Sequence, residues 1–198
     1  MNEQKLLLLF VRNPELGKVK TRLAAAIGPE KALQVYHCLL QHTREVTQGL
    51  PVQKLVYYSD RIDDNDLWPN GQYQKRVQPA GDLGKKMEAA FAAAFVEGYT
   101  SVVIIGSDCL QLTQEVVLQA YIALEKNDVV IGPALDGGYY LLGMNHLYPE
   151  LFRNKHWSTS RVFPDTVQDI QHLQLTYALL PRLSDVDYVE DLPATYIN

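Results

Sequence analysis

Four cations fall within the segment RNPELGKVKTR: Arg12, Lys18, Lys20 and Arg22. Gly17, among them, lets backbone approach a ligand closely. A helix beginning just beyond would offer unpaired N–H groups and the positive end of its dipole to an anion. That density of positive charge suits a diphosphate. The segment matches neither GxxxxGK(S/T) nor GxGxxG. It reads equally as the solvated basic start of a helix.

Three further groups carry acid chemistry. Asp108 closes SVVIIGSDC, where a rigid strand would present its carboxylate. Mg²⁺ and Mn²⁺ are held by one or two such carboxylates plus phosphate oxygens. An Asp after a strand also simply forms turns. Asp136-Gly137-Gly138, inside GPALDGGYYLLG, reads either as a tight turn or as a carboxylate presented to a ligand with room beside it. Near the end, LPRLSDVDYVEDL gathers Asp185, Asp187, Glu190 and Asp191. Asp187 and Glu190 have the spacing of a helix-capping pair, and Asp187 could cap and still face a metal.

Other chemistries find no support. The five histidines never pair at i, i+4 as a helical zinc site requires. GxSxG is absent. Two cysteines, Cys38 and Cys109, are too few for a disulfide framework or a thiolate zinc site, and they read as reduced thiols of a cytoplasmic protein. Trp157-Ser158-Thr159 lies between elements and could line an acceptor pocket or be buried.

The elements that must position these groups alternate. Continuous apolar runs, Leu6 to Val11 and Ser101 to Gly106, fit strands buried on both faces. Lys54–Ser59, Tyr73–Gln78, Asp128–Gly132, Tyr139–Met144 and Leu173–Leu180 are further strands. Helices are expected over Val19–Ile27, Pro29–Thr47, Leu83–Glu97, Thr113–Lys126, Phe163–His172 and Asp187–Tyr196. Met87, Phe91 and Phe95 recur every fourth residue and read as a core stripe. The alternation predicts an α/β fold with a mostly parallel sheet and helices on both faces. Functional residues in such folds sit in loops beyond the carboxyl ends of strands.

The chain has 198 residues, 47% hydrophobic and 21% charged, which fits one globular domain spanning 1–198. A net charge of −5 without a basic block argues against nucleic-acid binding. The N-terminal apolar run is shorter than a signal-peptide core, and no run approaches a membrane span.

The order of these pieces is more specific than any one of them. A basic glycine turn, GDLGKKM, a strand ending SDC, DGGYYLLG and DVDYVEDL follow one another from Leu6 to Leu192. This order resembles a bacterial family of the nucleotide-diphospho-sugar transferase superfamily, labelled glycosyltransferases of GT-A type. It is similar, more distantly, to the phospholactate and molybdenum-cofactor guanylyltransferases. The resemblance implies a Rossmann-like GT-A fold, a three-layer sandwich, that binds a nucleotide with Mg²⁺ or Mn²⁺.

Carried over, Arg12, Gly17, Lys20 and Arg22 would hold the diphosphate, and Gln78, Gly81 and Asp82 would approach the base or ribose. Asp108 and Asp187 would hold the metal. Asp136 would act as base and Lys20 would stabilise the leaving group, with Gly137 and Gly138 at the sugar or acceptor; Trp157 and Thr159, from their place between elements, could border the same pocket. The chain departs from the pattern where Tyr188-Val189 replace Thr-Pro, Leu110 replaces Pro and Lys86 replaces Arg. It also offers one Asp where many glycosyltransferases have DxD.

The implied activity is glycosyl transfer from an NDP-sugar to a small-molecule acceptor. Nucleotidyl transfer from an NTP with release of pyrophosphate is the alternative. A nucleotide-binding module without catalysis is a third reading.

Overall fold

Leu6, Leu7, Leu8 and Leu9 are all essentially inaccessible to solvent, because their strand lies inside a sheet covered on both faces. The computed structural model describes residues 4–193. The strands are β1 (Lys5–Val11), β2 (Gln53–Tyr58), β3 (Gln74–Val77), β4 (Ser101–Ile105), β5 (Val129–Pro133), β6 (Tyr139–Met144) and β7 (Tyr177–Leu179). They form one sheet in the order β3-β2-β1-β4-β6-β5-β7. All pairings are parallel except those of β6, which runs antiparallel to both β4 and β5.

The helices are α1 (Thr21–Ile27), α2 (Pro29–Gln48), α3 (Leu83–Val96), α4 (Gln114–Leu124) and α5 (Val162–His172). Alternate side chains of each strand point to opposite faces. Leu7, Leu9 and Val103 therefore meet Leu23 of α1, Tyr36 and Leu39 of α2, and Val117 and Tyr121 of α4. Leu6, Leu8 and Ile104 meet Met87 and Phe91 of α3, and Ile170 of α5. Two cores flank one sheet, as the alternating elements predict. Each fully buried leucine contributes about 1.5–3 kcal/mol.

Several boundaries differ from the sequence expectation. The first helix starts at Thr21 rather than Val19, because Lys20 takes a left-handed conformation (φ 47°, ψ 45°) that an α-helix cannot include. The last strand shrinks to Tyr177–Leu179. The expected final helix is only a 3₁₀ turn, Val189–Asp191, and its predicted end at 194–196 lies outside the described residues. Asp187 and Glu190 do not form the expected cap. The Asp191 carboxylate accepts the backbone N–H groups of Asp187 (3.0 Å) and Tyr188 (2.8 Å). The Asp187 side chain therefore remains available for other partners.

Since β6 reverses, β5 runs in the same direction as β1 and β4, and β7 follows β5. The loops after β1, β4, β5 and β7 thus all emerge at one edge of the sheet.

Candidate functional site

At that edge Lys20, Asp108 and Asp187 meet. Lys20 Nζ lies 2.6 Å from Asp108 Oδ1 and 3.3 Å from Asp187 Oδ1. The lysine side chain is 5% exposed, whereas those of Asp108 and Asp187 are 45% and 35% exposed. The ammonium is thus enclosed while the acids face solvent. Arg22 Nη1 contacts Asp187 Oδ2 at 2.9 Å, and its guanidinium lies over the Tyr188 ring, 5.9 Å from the centroid. The left-handed turn at Lys20 is the local cause. It ends the loop after β1 and starts α1, so Lys20 and Arg22 flank the last strand-following segment.

The acids are placed by backbone hydrogen bonds between loops. Val186 N–H donates to the Asp108 carbonyl (2.8 Å), and Leu183 N–H to the Pro133 carbonyl (3.2 Å). Leu135 N–H returns a bond to the Leu183 carbonyl (2.9 Å). The segment after β7 is therefore laid between the loops of β4 and β5. This brings in Asp185, an acid of LPRLSDVDYVEDL whose spacing alone assigns it no role. Its carboxyl is pushed up to about 7, chiefly by burial and then by the charges of Asp108 and Asp136, against the pull of Lys20. Asp136 belongs to the same electrostatic neighbourhood.

Asp136 sits in the turn between β5 and β6, its Oδ1 accepting the Gly138 N–H at 2.8 Å. The turn reading and the presented carboxylate are therefore compatible. Gly137 is required there. Its φ is +90°, and a Cβ would lie 2.3 Å from the Ser160 carbonyl oxygen. Phe163 N–H also donates to the Gly137 carbonyl (2.8 Å), which pins the segment holding Trp157 and Thr159 beside Asp136. Trp157 packs on Gly84 of α3, where a Cβ would come within 2.6 Å of the indole. Thr159 Oγ1 donates to the His156 carbonyl (2.7 Å) and is exposed.

The remaining candidates line the loops after β1 and β3. Arg12 is exposed. Gly17 has φ +74°, with nothing within 4 Å of the place a Cβ would take. Lys18 instead pairs with Glu15 at 2.6 Å. The Gln78 amide donates to the carbonyls of Val11 (3.1 Å) and Tyr57 (3.2 Å), so it ties its loop to the ends of β1 and β2. Gly81 has φ +125°, and Asp82 caps α3 by accepting the Lys85 N–H at 2.9 Å.

Two positioning residues escape a sequence reading. The buried Tyr36 hydroxyl accepts the Arg12 N–H (2.8 Å) and donates to the Arg12 carbonyl (3.0 Å), with Ser107 Oγ at 3.4 Å. It joins the cationic loop to the residue before Asp108. Asn13, also buried, accepts the N–H groups of Asp60 (3.0 Å) and Arg61 (3.3 Å) on Oδ1 and donates to the Arg61 carbonyl (2.9 Å). A tyrosine on an apolar helix face and an Asn before Pro look ordinary in one dimension. Cys109 is buried, its thiol pushed up to about 12 chiefly by burial, which makes it packing rather than a nucleophile.

Among the described residues no group of three or more His, Cys, Asp or Glu side chains is arranged to hold a metal ion. The pair Asp108 and Asp187 nevertheless fits a Mg²⁺ or Mn²⁺ that takes its other ligands from phosphate and water. Both acids converge on one cation, the Lys20 ammonium, and a third acid stands beside them. Two clefts of about 470 and 510 Å³ lie elsewhere, one along α2 at His37, Cys38 and His42, the other at Glu150, Lys155 and Asp169.

This mostly parallel α/β sheet with helices on both faces is a Rossmann-like fold, shared with structures of nucleotide-using transferases. The chain belongs to the family described as uncharacterized protein conserved in bacteria (DUF2064), whose profile matches residues 42–159. A Desulfovibrio desulfuricans G20 structure, provisionally described as a nucleotide-diphospho-sugar transferase, is 35% identical with a TM-score of 0.85, over 94% of this chain and 84% of that one. The inositol-1-phosphate CTP transferase of T. maritima shares the fold at 12% identity and a TM-score of 0.61, over 98% and 94% of the two chains. So does a Mycobacterium tuberculosis H37Rv protein solved in complex with manganese, at 13% identity and a TM-score of 0.54, over 95% of each chain. No curated protein matches. No helix among the described residues is long and apolar enough to cross a membrane.

Proposed function

We propose that this protein transfers a group from a nucleotide-activated donor, and that the group is a glycosyl unit moved from an NDP-sugar to a small-molecule acceptor. The carrying observation is the convergence of Asp108 and Asp187, from two distant loops, on the ammonium of Lys20. Acids and cations gathered at one point suit a diphosphate with its counterion. The glycosyl assignment is supported by the 35% identical neighbour and its description.

In this reading Asp108 and Asp187 would hold Mg²⁺ or Mn²⁺. The bound ion supplies Lewis-acid stabilisation of the charge that grows on the leaving phosphate. Lys20, Arg22 and Arg12 would add positive charge to the same oxygens, a contribution that is large in a site partly shielded from water. Gly17 leaves space for the diphosphate beside the backbone. Gln78, Gly81 and Asp82 approach the base or ribose. Asp136 takes the proton of the acceptor hydroxyl, and Gly137, Gly138, Trp157 and Thr159 border that acceptor. A cytoplasmic location and the absence of a nucleic-acid partner belong to the proposal, as does a single domain over the whole chain.

A second reading, nucleotidyl transfer, is favoured by one feature. The two candidate metal acids come from separate loops, not from a DxD pair. An acceptor would then attack the α-phosphorus of an NTP, and the cations would stabilise departing pyrophosphate. The test is the leaving group. Incubation with Mn²⁺ and panels of NDP-sugars and NTPs should release NDP from an NDP-sugar. Pyrophosphate release from an NTP selects the second reading, and release of neither across both panels overturns both.

A further inference from the structure

We propose that Lys20 is the resident counterion of the acid pair, occupying the cation position between Asp108 and Asp187, so that a divalent ion binds only by displacing its ammonium. The inference rests on the proposed metal role of the two acids and extends it. Three observations carry it.

The first is distance. One Nζ touches Oδ1 of both acids, at 2.6 and 3.3 Å. A metal ion bound to these same two Oδ1 atoms would use the space that the ammonium fills, and two cations that close together repel strongly.

The second is enclosure. The lysine side chain is 5% exposed, while the acids it joins are 45% and 35% exposed. Its long stem is packed, so the ammonium is held in place rather than waving in solvent. Arg22 differs: its side chain is 52% exposed, and it pairs with Asp187 and lies over the Tyr188 ring.

The third is backbone conformation. Lys20 is left-handed at φ 47° and ψ 45°, a region that a residue with a Cβ enters at a cost. Such strain persists where surrounding contacts over-determine it. Here those contacts are the two acids and the start of α1.

Metal and donor binding are coupled as a consequence. An ammonium driven off the acids needs another anion, and the donor diphosphate is the anion that the site is proposed to hold. Metal binding alone therefore works against Lys20, whereas metal and diphosphate together give every charge a partner. By linkage the assistance is reciprocal.

The test is a titration of metal-free protein with Mn²⁺ alone, following unbound Mn²⁺ by its electron paramagnetic resonance signal. No turnover is involved. Wild type, Lys20→Met, Lys20→Gly, Arg22→Met and Asp108→Asn are compared, with folding checked by circular dichroism. Met keeps the packed stem without the charge. Gly relieves the left-handed backbone, so at least one of the two should fold. Lys20→Met or Lys20→Gly should bind Mn²⁺ about tenfold more tightly than wild type. Arg22→Met should gain much less, and Asp108→Asn should lose binding. Equal or weaker binding by both folded Lys20 variants, while wild type binds and Asp108→Asn does not, overturns this inference and leaves the metal role of Asp108 standing. No Mn²⁺ binding by any variant overturns both.

Discussion

The backbone N–H of Val186 donates to the carbonyl of Asp108 at 2.8 Å. This one bond stitches the segment after β7 to the loop after β4. It sets Asp185 and Asp187, on either side of Val186, against Asp108. The three acids form one site because of a backbone contact, and two of them, Asp108 and Asp187, pair with a single enclosed lysine.

The acid pair should govern stabilisation by metal. In wild type, Mn²⁺ with a bound nucleotide donor at a hundredfold excess over Kd should stabilise the fold by about 2.7 kcal/mol. Asp108→Asn and Asp187→Asn should each remove most of that gain, seen as loss of the Tm rise in a thermal-shift assay. An undiminished rise in both variants would show that neither acid holds the ion.

Asp185 should make the metal-free protein less stable as pH rises. Its folded-state carboxyl lies near 7, above the value of about 4 that an unfolded chain shows. The folded state therefore holds the proton more tightly. Its stability is full below about pH 4 and declines as pH climbs to 7, where ionised Asp185 faces Asp108 and Asp136. Asp185→Asn should match wild type near pH 4 and exceed it by roughly 1–3 kcal/mol at pH 8. Urea unfolding at the two pH values checks this, and an equal difference at both would contradict it.

Removing the Tyr36 hydroxyl should loosen the cationic loop. Tyr36→Phe keeps the ring in the core but leaves the Arg12 N–H and carbonyl without their partner. The expected loss is about 1–3 kcal/mol in urea unfolding. Donor affinity should fall further than stability alone explains, since Arg12 and Ser107 lose their common anchor. Unchanged nucleotide binding by calorimetry would confine Tyr36 to a structural role.

Gly137→Ala should be poorly tolerated. The added methyl meets the Ser160 backbone at 2.3–2.8 Å, and φ +90° strains any residue with a Cβ. A cost of about 2 kcal/mol or more is expected. The turn and the Trp157–Thr159 segment should part, which hydrogen exchange at Phe163 N–H would report. Gly17→Ala meets no atom and should cost less, through its φ of +74° alone.

Much of this architecture was legible in one dimension. The runs KLLLLFV and SVVII become central strands because they are apolar on both faces. The period of Met87, Phe91 and Phe95 places α3 against the sheet, with Met87 and Phe91 buried. Asp108 was findable because an acid ending such a strand must emerge at the sheet edge. Lys20 and Arg22 were findable as part of a dense cationic turn. Asn13 and Tyr36 were not, because their importance lies in partners remote along the chain. Asp191 displaced Glu190 as the cap because the last element tightened to a 3₁₀ turn, a choice of local geometry that residue spacing alone leaves open.

By itself the sequence determined the two-faced apolar strands, the alternation with helices and the supply of acids and cations in loops. Those follow from local burial patterns and from where charge can be tolerated. Only the tertiary structure decided that β6 would reverse, that the segment after β7 would lie beside the loop of β4, and that Lys20 would be enclosed between Asp108 and Asp187. Each depends on hydrogen bonds and charge contacts between segments far apart in the chain, and their geometry exists only once the sheet has assembled.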